Sequence, residues 1–210
     1  MESLHKEITE WDTSNMQVFW GEIAPCEHLV QIYENDKIFL DTLEGFTGSG
    51  FLADETVVVI ATAGHLEALN TRLYSQGFDV NKLISSNKYI PIDADNLLSV
   101  FLKSDRIDEK IFNTFISGLI DHARQRNGKI RAFGEMVAIL WERHLYAATI
   151  QLEKLWNQLH SRSEFTLFCA YPRIGFTQSA TESIDTICKQ HAKVIDGYAR
   201  PTTEIYYRSA

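Results

Sequence analysis

The run Thr56-Val57-Val58-Val59-Ile60-Ala61 decides the fold. It is β-branched almost throughout and does not alternate with polar residues. Both of its faces must therefore be buried, the condition of a strand inside a parallel sheet. Outward from it, Leu66, Leu69 and Leu73 fall on one side of a helix over residues 64–76, with Gly77 placed to cap its end. Tyr89 to Asp93 then reads as a strand, and Pro91, which lacks an N–H donor, sends that strand to a sheet edge. On the other side, Leu29 to Tyr33 reads as a short strand. Asp36 is placed to cap a following helix carrying Ile38, Phe39, Leu43 and Phe46, and the glycines of Gly45 to Gly50 are expected to stop it.

The same alternation continues toward the carboxyl end. Asp105 or Asp108 opens a long helix to Arg126 whose Phe112, Ile116, Leu119 and Ala123 share an apolar face. Lys129 to Gly134 gives a fourth strand, Leu145 to Leu159 a helix, and Phe165 to Ala170 a fifth strand. Strand and helix alternating in this way imply an α/β fold with a mostly parallel central sheet of about five strands and helices on both faces. Ser183 to Val194 reads as a final helix and Tyr198 to Ala210 as an extended tail.

With 210 residues, 45% hydrophobic and 23% charged, one folded domain is expected. A net charge of -8 excludes the basic footprint of a nucleic-acid binder. The local cluster Arg124, Arg126, Lys129 and Arg131 spans a helix end, where cations complement the dipole. Cys26, Cys169 and Cys188 form no paired motif, which points to a reducing, cytoplasmic setting without disulfides. Neither a secretory leader nor a membrane-spanning run is recognisable, so no membrane partner is expected.

Chemical motifs are mostly absent. The cluster Gly45, Gly48 and Gly50 follows a helix and lacks the lysine of a phosphate loop, and Gly48-Ser49-Gly50 is not completed to a dinucleotide fingerprint. The chain has neither a serine nucleophile elbow nor a zinc-protease helix. Cys26, Glu27 and His28 are conceivable metal ligands, but no second pair has suitable spacing, so no metal or cofactor is expected. Cys169, inside an apolar strand, reads as an inert buried thiol, and Trp141 and Trp156 read as core. In open α/β sheets ligands bind beyond the carboxyl ends of the strands. That crest collects Tyr33, Glu34, Thr62, His65, Asp93, Gly134, Glu135 and Tyr171.

The segments His28 to Tyr33, Glu34-Asn35-Asp36, Val57 to Thr62, His65 to Leu69 and Arg72-Leu73 resemble the MEDS sensory domain family, named for methanogen and methylotroph regulators. So do Arg131 to Val137, Leu140-Trp141, Leu152-Glu153, Trp156 to Leu159, Cys169 to Pro172 and His191 to Val194. His144 departs from the pattern, which tends to carry glycine there. The resemblance spans residues 26–195, leaving 1–25 as an N-terminal extension and 196–210 as a C-terminal tail. It implies a fold like that of RecA and KaiC ATPases without the nucleotide loop, with Ala61-Thr62-Ala63 where those ATPases carry acidic catalytic residues. It also implies non-catalytic sensing of a small organic compound in bacterial and archaeal signalling. The signal would pass to a separate histidine kinase or transcription regulator, with a homodimer left open.

The expected ligand-binding residues are Tyr33, Thr62, His65, Asp93, Glu135 and Tyr171, joined by His28 and Arg131 from the segments that carry the resemblance. The alternatives are a degenerate nucleotide-binding protein, which ATP turnover would reveal, and an interaction scaffold without a ligand. The sensing reading requires a crest that a molecule can enter.

Overall fold

The computed structural model describes residues 26–173, with Ile187, His191, 193–197 and 204–207. The expectations for residues 1–25 lie outside the described residues. The elements are β1 (His28–Tyr33), α1 (Asp36–Leu52), β2 (Thr56–Ala61), α2 (Ala63–Ser75), α3 (Val80–Ser85), β3 (Tyr89–Asp93) and α4 (Ala94–Phe101). A two-stranded hairpin follows, β4 (Leu102–Lys103) with β5 (Arg106–Ile107), then α5 (Glu109–Arg124), β6 (Ile130–Gly134), α6 (Met136–Glu142), α7 (Tyr146–His160) and β7 (Thr166–Pro172). β8 (Lys193–Gly197) and β9 (Glu204–Tyr207) complete the sheet.

The main sheet runs β3-β2-β6-β7-β1-β8-β9. The five strands expected from sequence pair in parallel, β8 joins β1 in parallel, and β9 closes the edge antiparallel. β2 lies between β3 and β6 with every residue buried, and its side chains divide between two cores. Val57, Val59 and Ala61 pack under α1 and α2, whereas Val58 and Ile60 pack with residues of α4 to α7. Fully burying a side chain of this size contributes about 1.5–3 kcal/mol, which is why such a run commits to the sheet centre. β3 is an edge strand, where Pro91 leaves no central ladder bond unmade.

Some local expectations are corrected. α1 does not stop in the glycine cluster but continues to Leu52, and its N-cap is Asn35, whose side chain accepts from the Ile38 N–H. Glycine serves packing there. A Cβ on Gly50 would lie 2.8 Å from Val57 Cγ2 and 3.2 Å from Arg131 Cδ, so its absence lets the helix press onto β2. The long helix starts at Asp108, which caps the Ile111 N–H. α3, α4 and the β4–β5 hairpin were not anticipated. Lys193 and Val194, expected at a helix end, lie in β8, and Glu204 to Tyr207, within the stretch expected as a tail, form β9; the rest of that tail and most of the expected helix 183–194 lie outside the described residues.

Candidate functional site

The path of the chain creates a crevice between β2 and β6. After β2 it turns through α2 toward β3, and after β6 it turns through α6 and α7 toward β7, on the opposite face. Strand ends from which the chain departs in opposite directions leave such a gap. Glu135, directly after β6, fills it. Its N–H is held by the Ile60 carbonyl at 2.9 Å, and its side chain leaves α6 uncapped to reach across to α2. There Oε2 accepts the Thr62 N–H at 2.8 Å, and Oε1 lies 2.7 Å from His65 Nδ1. Thr62 caps α2 in turn by accepting the His65 N–H.

His65 packs against Phe39 at 4.8 Å between ring centroids, and Phe39 stacks on Tyr33. The remaining imidazole nitrogen, Nε2, lies 4.0 Å from the exposed Asp36 carboxylate. Partial burial disfavours the charged ring, but the Glu135 hydrogen bond and charge, with Asp36 and Glu142 beyond, outweigh it and raise the His65 pKa. Burial, then the Glu135 charge, raises Glu142, and the same two causes raise the Tyr33 phenol.

Four of the eight expected residues therefore meet: Tyr33, Thr62, His65 and Glu135. Asp93 also ends a strand on the crest, but its carboxylate caps α4 through the Asn96 N–H. Arg131 lies near the opposite, amino end of the sheet. Its Nε donates to Glu55 at 2.6 Å, Nη1 donates to the Phe46 carbonyl and Ser49 hydroxyl, and the guanidinium lies over the Phe46 ring. That is the work of a clamp on α1.

In this structure the Glu135 oxygens are engaged by the protein's own donors, so a molecule entering the crest would have to displace Thr62 or His65 from them. Two clefts among the described residues lie elsewhere. One of about 220 Å³ is at the amino ends of β6 and β7, and one of about 430 Å³ lies over Ile111 and Phe115 of α5.

His28 and Tyr171 belong to a second cluster under α7. His28 of β1, Cys169 of β7, Glu153 of α7 and His191 place one ligand atom each within 4.8 Å of one another, and all four are buried. Tyr171 donates to Glu153 Oε1 at 2.5 Å. Burial, then the neighbouring His191, lowers the His28 pKa to about 3, and burial lowers His191 to about 4, so both rings are neutral at pH 7. Burial raises Glu153, and it raises the Cys169 thiol well above the ordinary range. Sequence reasoning missed this group because its members lie far apart in the chain. The available signal was polar residues within apolar patterns, such as Glu153 among Leu152, Leu155 and Trp156.

Known structures of similar fold include a KaiC-like protein of the hyperthermophilic archaeon Pyrococcus horikoshii OT3, at 15% identity and TM-score 0.56, over 88% of this chain and 79% of that one. Another protein of the same organism, described as a structural study, aligns at 14% identity and TM-score 0.57 over 90% of both chains. At these identities the likeness shows the fold alone, which is RecA/KaiC-like. None of the curated proteins matches by sequence. No helix among the described residues is long and apolar enough to cross a membrane. The model of the MEthanogen/methylotroph, DcmR Sensory domain matches residues 27–192, and the chain belongs to this MEDS family of sensory domains.

Proposed function

We propose that the chain senses a small organic molecule at the β2–β6 crest without transforming it, and that a separate histidine kinase or transcription regulator reads the result. The observation that carries this reading is the bond from His65 to Glu135 across the crevice. It joins the first turn of α2 to the end of β6, so a ligand that takes either partner must move one element relative to the other. That differential contact is what a population shift requires. The crest is also acidic: Glu34 and Asp36 are exposed beside it, and Glu135 and Glu142 lie within reach of His65. This charge favours a neutral or cationic ligand over an anion.

The nucleotide reading fares worse on the same ground. Where a phosphate loop would follow β1, the chain has Glu34-Asn35-Asp36. Asn35 already satisfies the Ile38 N–H, and Asp36 occupies the positive end of the helix dipole.

The test is calorimetry and native mass spectrometry with short-chain alcohols, amines and organic acids, alongside ATP. A neutral or amine ligand that binds the wild type and is lost in His65→Gln is the expected result. ATP turnover, or no binder in the panel, would overturn the reading.

A further inference from the structure

The second cluster is built in a way that a folded protein tolerates poorly without a cation. His191 Nδ1 lies 2.7 Å from the Ile187 carbonyl, which can only accept, so the ring proton sits on Nδ1 and Nε2 carries a lone pair. His28 Nδ1 lies 2.8 Å from the Asn157 amide oxygen, which fixes the same tautomer and again leaves a lone pair on Nε2. Both lone pairs turn toward Glu153 Oε2, at 3.9 Å from His28 and 3.5 Å from His191. Neither Glu153 Oε2 nor His191 Nε2 has a hydrogen-bond partner, although both residues are buried. His28 Nε2 has the Cys169 thiol as a donor at 3.5 Å, but Glu153 Oε2 and His191 Nε2 face each other without one, where buried polar groups are ordinarily paired.

We propose that His28 Nε2, Glu153 Oε2, Cys169 Sγ and His191 Nε2 form a closed four-ligand site for a divalent metal ion of the zinc class. Bonds of about 2.0 Å to nitrogen and oxygen and about 2.3 Å to sulfur give a tetrahedron with edges of about 3.3 Å between nitrogen and oxygen ligands and about 3.5 Å to the single sulfur. The 3.5 Å from Cys169 Sγ to His28 Nε2 matches the sulfur edge, and the 3.5 Å and 3.9 Å from Glu153 Oε2 to His191 Nε2 and His28 Nε2 exceed the nitrogen–oxygen edge by about 0.2 and 0.6 Å, a contraction that binding an ion would supply. The surrounding groups match as well. Each imidazole donates its other N–H to an oxygen, and Tyr171 holds the outer oxygen of Glu153, which is how protein metal sites orient their ligands.

Charge closes the argument. Coordination releases the Cys169 thiol proton to solvent, so a divalent ion meets one thiolate, one carboxylate and two neutral imidazoles. The complex has no net charge, which removes the main cost of burying the ion. A mixed nitrogen, sulfur and oxygen set suits zinc and disfavours calcium and magnesium. The cysteine expected to be inert becomes a ligand, and His191 ties the chain just ahead of β8 to β1, β7 and α7. This inference does not depend on the crest.

The test uses the full chain, stripped with chelator and returned to Zn2+ or Co2+. Uptake of about one ion per chain is expected. Bound Co2+ should show four-coordinate visible absorption and a thiolate charge-transfer band. Cys169→Ser should remove that band, whereas Cys26→Ser and Cys188→Ser should keep it. Tyr171→Phe, which takes away only the hydroxyl on Glu153, should weaken Zn2+ binding about 10- to 100-fold. Should Cys169→Ser fail to fold, the wild-type spectrum and the Tyr171→Phe affinity still decide. A folded wild type that takes up neither ion, a Co2+ spectrum without thiolate character, or uptake that survives Cys169→Ser with His191→Gln overturns the proposal.

Discussion

The crest and the cluster under α7 both place a buried glutamate beside histidine, yet their hydrogen bonding is opposite. At the crest each Glu135 oxygen faces a donor, from Thr62 and from His65. Under α7 only the outer oxygen of Glu153 has one, from Tyr171, while the inner oxygen faces imidazole lone pairs. A satisfied pair on the rim of a crevice is a latch that can exchange partners. A buried set of acceptors is a site that waits for a cation. Burial and residue type alone would have classed them together, and only the direction of each N–H separates them.

The sharpest way to break this contrast is to give each glutamate its amide isostere. Glu135→Gln loses a charge-assisted bond to His65 and should lower the unfolding free energy by about 1.5–3 kcal/mol. Glu153→Gln supplies an N–H where the metal-stripped protein has lone pairs, so its stability in chelator should be unchanged or higher. Urea unfolding in chelator checks both. A loss at Glu153→Gln as large as that at Glu135→Gln would mean that the inner oxygen already has a donor.

Legibility in the sequence divides along the same line. The strands could be read because a run such as Val57 to Ile60 records its own burial locally. The crest could be read because its residues follow strand ends, and strand ends imply a place. Glycine was misread in α1 because the same residue serves a turn or a close helix contact, and only Val57 and Arg131 across the gap reveal which. The cluster under α7 was illegible because His28 and Glu153 are brought together by the sheet order, which no local pattern encodes. Arg131 illustrates the converse: an arginine in a matching segment looks like a ligand contact, but its Nε and Nη1 donate to Glu55, Phe46 and Ser49 at the far end of the sheet from the crest.

A smaller effect sharpens the description of the latch. The His65 pKa is raised in the folded state by Glu135, with Asp36 from α1 and Glu142 from α6 adding to it. Its stabilisation is therefore full below the unfolded value of about 6.5 and is lost as pH rises through the higher folded value. The stability difference between wild type and His65→Gln should shrink as pH is raised from about 6 to about 8.5. A difference that grows over this window would mean that His65 is held neutral.

The smallest expected effect lies between the two regions, where α6 leaves the crest and α7 begins its descent toward Glu153. His144 occupies that junction with φ +60°, a left-handed conformation that favours glycine. It ends α6 in the way glycine does elsewhere: the His144 N–H bonds the Trp141 carbonyl and the Leu145 N–H bonds the Leu140 carbonyl. Its ring also bonds the Tyr146 hydroxyl at 2.9 Å. His144→Gly relieves about 1 kcal/mol of backbone strain, but it loses that exposed bond and adds freedom to the unfolded chain. The net gain should be a few tenths of a kcal/mol, read from the urea midpoint. Zn2+ affinity and the pH profile of the His65 latch should stay unchanged. If either moved, the junction would be transmitting between the clusters, and they would have to be treated as one coupled device.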